Sequence, residues 1–214
     1  MALQIYVPRL AAGAIRSAVA ENLHTTATAQ IQGPFWQLAR GGFDELSLQV
    51  GPSLYQGYRL QSASLRWRDG RIDLQQMLSG QIRVLQPGRL ALRVVIGQAA
   101  LGQAVADGFR QALPSAASGS LPEVAVTPQH ITLKGSVTFL GMPVRYRIDG
   151  GLVLQRNGQV LAFQARDLND SVLHLPPLPV LRIQDLPRIP GLPLHIAGVK
   201  LLRGSLAIML TGPS

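Results

Sequence analysis

Hydrophobic and polar residues alternate over 131–139: Ile131, Leu133, Val137 and Phe139 share one parity, and Thr132, Lys134, Ser136 and Thr138 share the other. A period of two with one apolar face predicts a half-buried antiparallel strand. The next segment, 142–155, places Val144, Tyr146 and Ile148 on one face and Arg145 and Arg147 on the other. It leads through Asn157-Gly158, a dipeptide that tolerates the left-handed backbone of a tight hairpin, into a third apolar run within 156–165. Together these segments predict a three-strand meander. The first half of the chain carries the same signals. Leu90, Leu92, Val94 and Ile96 alternate with Arg89 and Arg93, and Asp69-Gly70 reads as a hairpin turn between Leu65/Trp67 and Ile72/Leu74.

Two stretches change to a helical period. Pro8 suits a first helical turn, and Ala11, Ile15, Val19 and Leu23 then recur every four residues. Over 98–113 the apolar stripe is Leu101, Ala104, Val105, Gly108, Phe109, Ala112 and Leu113, with Gln103, Asp107, Arg110 and Gln111 facing water and Pro114 as the stop. Each half, 1–97 and 98–214, therefore reads as a helix followed by antiparallel strands. The stretch 114–122 reads as a surface loop inside one domain spanning 1–214. No repeat is visible at the residue level.

The predicted class is α+β, with strongly twisted antiparallel sheets around one or two helices. Two slender, alanine-rich helices cover less area than the apolar faces of so many strands present. Either the sheets close on each other as a sandwich with an ordinary core, or they form a tube with room for an apolar ligand. Residues 173–196 sharpen the question. Pro176, Pro177, Pro179, Pro187, Pro190 and Pro193 keep this stretch out of sheet interiors and favour extended or turn conformations, leaving Leu178, Leu181 and Leu186 among the apolar residues available on a loop or short helix. It either closes one end of a tube and offers leucines to lipid tails, or covers an open sheet edge.

Composition narrows the chemistry. The 214 residues are 47% hydrophobic but only 5% aromatic, so aliphatic side chains must fill the interior. The net charge of +9 comes almost entirely from arginine and points to phosphates, an anionic membrane surface or acidic polymers, unless it is only a solvated surface. The absence of cysteine excludes disulfides, thiolate metal sites and cysteine nucleophiles. His24, His130, His174 and His195 are far apart and in no ligand-like spacing, so no metal is expected. Nucleotide-binding, hydrolase, zincin and EF-hand patterns are all missing, and no residue is nominated as catalytic. Nucleic acid is not expected either, because Trp67 and Tyr146 have the parity of the apolar face and do not interleave with the exposed arginines. No window of ~18 residues is free of charges and Pro/Gly breaks, as a spanning helix requires. The first 23 residues show no basic region ahead of an apolar core, so the chain is expected either to be cytoplasmic or to have lost a leader.

Two stretches resemble a known family. PFWQLARGGFDELSLQVG, residues 34–51, is similar to the segment in which LmeA-like bacterial envelope proteins carry a proline, a leucine, a glycine, an aromatic, an acidic residue and an alternating strand. PGLPLHIAGVKLLRGSLAIMLTG, residues 190–212, resembles that family's closing pair of strands. The resemblance implies non-enzymatic binding of a phospholipid or other two-chain lipid in an apolar groove. It also implies a tubular lipid-binding fold, no cofactor, and residence in the cell envelope in peripheral contact with anionic membrane. Under that reading the lipid-lining candidates are Leu92, Val94, Ile96, Ile131, Leu133, Val137, Phe139, Val144, Tyr146, Ile148, Leu178, Leu181 and Leu186. The headgroup candidates are Arg66, Arg68, Arg145 and Arg147, since a guanidinium forks a phosphate. The competing readings are a structural or adaptor module with a packed core and cationic outer face, and an enzyme whose site is assembled from distant residues.

Overall fold

A computed structural model describes residues 12, 13, 15–17, 25–55, 58–78, 83–112, 117–119, 122–139, 141–167, 177–186 and 192–212. Of the first predicted helix, residues 12, 13 and 15–17 are helical and Ile15 is buried; Pro8, Ala11, Val19 and Leu23 lie outside the described residues. The chain forms two compact units, one of residues 1–95, 186–198 and 208–214, the other of 96–185 and 199–207. Its class is α+β with twisted, mostly antiparallel sheets, as expected.

The strands represented in the first unit are β1 (Ala27–Gln32), β2 (Gly42–Val50), β3 (Ser53–Tyr55), β4 (Tyr58–Ile72), β5 (Val84–Gln86), β6 (Arg89–Gly97), β13 (His195–Leu202) and β14 (Ser205–Thr211). Their order is β1-β2-β4-β6-β14-β13, with β3 and β5 also on β4. Along β6 the expected alternation holds: Leu90, Leu92, Val94 and Ile96 are buried while Arg89, Ala91 and Arg93 are exposed. Helices α1 (Phe35–Leu38) and α2 (Leu74–Leu78) are single turns at strand ends.

Asp69-Gly70 is not a hairpin turn. Strand β4 runs through it for 15 residues, and β2 stays in register on both sides, with Phe43 opposite Gly70 and Glu45 opposite Arg68. Asp69 does take a left-handed φ of 55°, but the chain is held in the sheet by packing around Gly70. The rings of Trp67 and Phe43 occupy the space a Cβ there would need, in an edge-to-face pair with centroids 5.1 Å apart. Burial of that pair and the continuing ladder outweigh a local turn preference.

The second unit contains the predicted meander. β9 (Ile131–Phe139), β10 (Met142–Gln155) and β11 (Val160–Asp167) pair antiparallel, and β10 turns into β11 through 156–159, where Arg156, Asn157 and Gly158 all have positive φ. The 114–122 stretch is not wholly loop, because β7 (Ala117–Gly119) pairs with the end of β9, and β8 (Glu123–Val126) pairs with its start. The proline-rich stretch contains an edge strand, β12 (Leu178–Arg182), on β11, followed by a 3-10 turn at Ile183–Asp185. A proline fits there because an edge strand leaves one row of N–H groups unused. Opposite β12 the register slips by one residue between Leu161 and Ala162, and this bulge lets both Val180 and Leu181 be buried although they are adjacent.

Helix α3 (Gln98–Ala112) packs on β12 and β8 with Leu101, Val105 and Phe109 buried, three members of the expected stripe. Gly108 permits this closeness: a Cβ there would stand 3.0 Å from the carbonyl oxygen of Pro179. The Ala112 and Leu113 side chains lie outside the described residues.

Candidate functional site

The aliphatic candidates fall into both units. Leu92, Val94 and Leu186 belong to the first, and Ile96, Ile131, Leu133, Val137, Tyr146, Ile148, Leu178 and Leu181 to the second; all of these are buried. Val144 departs from the set. It has the parity of Tyr146 and Ile148, yet it is 44% exposed, because the first four residues of β10, Met142 to Arg145, are uncovered on both faces. The Phe139 side chain lies outside the described residues.

Within the second unit the candidate wall is organised around Tyr146. Its ring stacks at a tilt on Phe109 of α3, with centroids 5.1 Å apart, and lies across Gly135, its cross-strand partner on β9. The hydroxyl is buried with no hydrogen-bond partner among the described residues, and desolvation pushes its pKa up to about 12. The wall at this point is thus almost wholly apolar, with one neutral donor embedded in it.

The four headgroup candidates differ in how much of their charge is already engaged. Arg66 and Arg68 share one carboxylate, that of Glu45 on β2, at 3.1 and 2.9 Å. Arg147 bonds Asp149 at 3.2 Å, and that carboxyl also accepts from Thr132 and lies 3.9 Å from His130. These contacts, Thr132 foremost, hold Asp149 below its ordinary range. Arg145 is exposed and in no ion pair among the described residues. Alternation places like-charged arginines on one face, and acids reach that face in two ways: Glu45 from the neighbouring strand, which spacing within β4 does not reveal, and Asp149 from β10 itself, two residues after Arg147.

An open cleft of about 320 Å³ lies in the first unit, lined by Trp36, Gln37, Arg40, Gly42, Asp69, Gly70, Arg71 and Gln86. No sequence spacing announced it, since its residues come from three segments that meet only when β2, β4 and β5 pair. The one legible signal was an aromatic pair, Phe35-Trp36, close to Arg40 within the stretch that carries the family resemblance. Nearby, Ile15, Ile31, Leu38, Ile72 and Leu74 line an apolar gap of about 10 Å³, room for no more than about one water. Among the described residues no cluster of three or more His, Asp or Glu side chains is placed to hold a metal, and no helix is long and apolar enough to cross a membrane.

No curated protein and no solved structure matches the chain. A family comparison does, and it bears out the resemblance carried by residues 34–51 and 190–212. By a match to residues 2–211, nearly its whole length, the chain belongs to the LmeA-like phospholipid-binding family, a family of binders rather than of enzymes.

Proposed function

We propose that the chain acts as one lipid-binding domain over 1–214, which takes up a two-chain phospholipid without chemical change and passes it on within the bacterial cell envelope, touching anionic membrane only peripherally. The acyl tails are received by inward aliphatic residues of the second unit, with Ile131, Leu133 and Ile148 of the meander as the central candidates. The family match over 2–211 carries this reading. The physics agrees: burying an acyl chain of about fifteen methylenes gains on the order of 12 kcal/mol at ~0.8 kcal/mol per CH₂, enough to offset the ordering cost of binding. An aliphatic wall needs no polar code for this.

A second reading, a structural module of the envelope with a closed core, is favoured by one observation: Ile131 and Leu133 are wholly buried, and α3 meets β12 at van der Waals distance at Gly108. Native mass spectrometry and organic extraction of the purified protein separate the two. Stoichiometric phospholipid released from the folded chain supports binding. A lipid-free protein that also takes up none from phospholipid micelles leaves the structural reading standing.

A further inference from the structure

Lipid binding in a membrane environment requires a surface that meets headgroups, and the described residues offer one with matched apolar and cationic parts. Helix α1 is two-sided. Leu38 is buried, whereas Phe35 and Trp36 are 37% and 66% exposed on its outer side. Leu85, 49% exposed, precedes Gln86 on β5, and Gln86 lines the same cleft as Trp36. Tryptophan favours the headgroup level of a bilayer, where its ring is apolar and its N–H is wet.

The charge within the cleft is positive and unspent. Its one lining acid, Asp69, is bonded by Arg89 at 2.7 Å. Arg40 and Arg71 have no ion-pair partner among the described residues, in contrast to Arg66, Arg68 and Arg147. Arg71 is also oriented: its Nε donates to the Arg40 carbonyl at 3.1 Å, which leaves the terminal N–H groups of its guanidinium for an anion. The backbone between them is fixed, since Ile72 N–H donates to the Gly41 carbonyl at 2.9 Å and Arg71 pairs with both Gly42 and Gln86. At about 320 Å³, open and partly polar, the cleft suits a headgroup rather than an acyl tail.

We propose that this cleft receives the phosphate of an anionic phospholipid at a bilayer surface, with Arg40 and Arg71 as its cationic contacts and Phe35 and Trp36 as the side chains that enter the interface. The proposal rests on the lipid-binding reading above but names a different part of the molecule from the aliphatic wall.

The test uses the full chain and vesicles of phosphatidylcholine with or without phosphatidylglycerol. Of the two tryptophans Trp67 is buried, so a blue shift on adding vesicles reports Trp36. The expected result is a shift and co-sedimentation with the phosphatidylglycerol vesicles that weaken with salt. Both should fall about tenfold or more in the Arg40→Gln/Arg71→Gln double variant, as loss of two surface cations implies. Trp36→Ala should abolish the shift and weaken sedimentation at an unchanged thermal midpoint. Equal sedimentation of wild type and double variant overturns the proposal. So does a Trp36 shift that inorganic phosphate alone reproduces, or a single-stranded oligonucleotide that binds through the two arginines while vesicles do not. Co-purified phospholipid is measured in the same variants. Lipid retained by a variant that no longer sediments separates this surface from the binding wall, while vesicle docking by a chain that never holds lipid sinks the binding reading and leaves the surface intact.

Discussion

Tyr146 lies across Gly135, its cross-strand partner, so closely that a Cβ at position 135 would fall 2.5 Å from the phenolic oxygen. The ring covers bare strand backbone and is itself backed by Phe109 of α3. A methyl group at 135 must therefore push the ring into a packed layer. Gly135→Ala is expected to cost about 1–3 kcal/mol, the usual range for overpacking, measured by urea unfolding. Adding Tyr146→Phe removes the closest atom but not the ring carbon at 2.7 Å, so the double variant should recover only part of the loss. Full recovery would show that the hydroxyl alone sets the fit.

The same hydroxyl governs the alkaline limb of stability. In the folded chain it holds its proton up to about pH 12, whereas in the unfolded chain it titrates at the ordinary value of 10.0. The folded state therefore binds this proton more tightly, and the stability that follows is complete below pH 10.0 and lost as pH rises towards 12. Tyr146→Phe should flatten that part of the profile. It should leave neutral stability unchanged or raise it by up to about 1 kcal/mol, because a buried donor without a partner is removed. A marked loss at pH 7 would mean that the hydroxyl has a partner after all.

Asp149 sets the acid limb. Thr132, directly opposite on β9, donates to Oδ1 at 2.5 Å, and Arg147 Nε donates to Oδ2 at 3.2 Å. The Thr132 bond is the main influence holding the carboxyl below 3.8, ahead of the charges of Arg147 and His130, while desolvation works the other way. The unfolded chain takes up this proton first as pH falls, so the contribution is full above pH 3.8 and fades as pH drops through the lower folded value. Asp149→Asn should cost only about 0.5–1 kcal/mol at pH 7, since the ion pair is solvent-exposed. The gap from wild type should close in strong acid. A pH-independent gap would assign the loss to packing instead.

What could be read from the sequence depended on whether one strand or several decide a feature. The burial of Leu90, Leu92, Val94 and Ile96 and the buried face of α3 follow from periodicity within a single element, and both were legible. Val144 had the right parity but the wrong depth, because depth depends on where the covering layer ends. Asp69-Gly70 carried a genuine left-handed residue that the Phe43 and Trp67 rings retained inside a long strand, a contact between β2 and β4 that local turn chemistry cannot express. The prolines of 173–196 were legible as barring sheet interiors, and 178–182 does form a strand only at a sheet edge; the one-residue bulge that buries both Val180 and Leu181 depends on the partner strand and was not legible. The basic cleft was hidden for the same reason: Trp36, Arg40, Asp69, Arg71 and Gln86 are neighbours only through strand pairing.

That pairing is locked at Gly41, and two glycines with nearly the same backbone angle make the lock measurable. Gly41 has φ +79° and Gly141 has φ +81°. A Cβ at 141 would meet nothing within 4 Å, so Gly141→Ala should cost only the left-handed strain of an L-residue, about 1–2 kcal/mol. A Cβ at 41 would stand 2.0 Å from the Ile72 carbonyl oxygen, a backbone atom that cannot rotate away. Gly41→Ala must therefore also separate the 39–41 turn from the end of β4 and strain the bond from Ile72 N–H to the Gly41 carbonyl, raising the expected loss to about 3 kcal/mol or more. Urea unfolding of the two variants side by side gives the difference directly. Equal losses would mean that the turn yields without cost, and that Arg40 is not held beside Arg71 by the backbone.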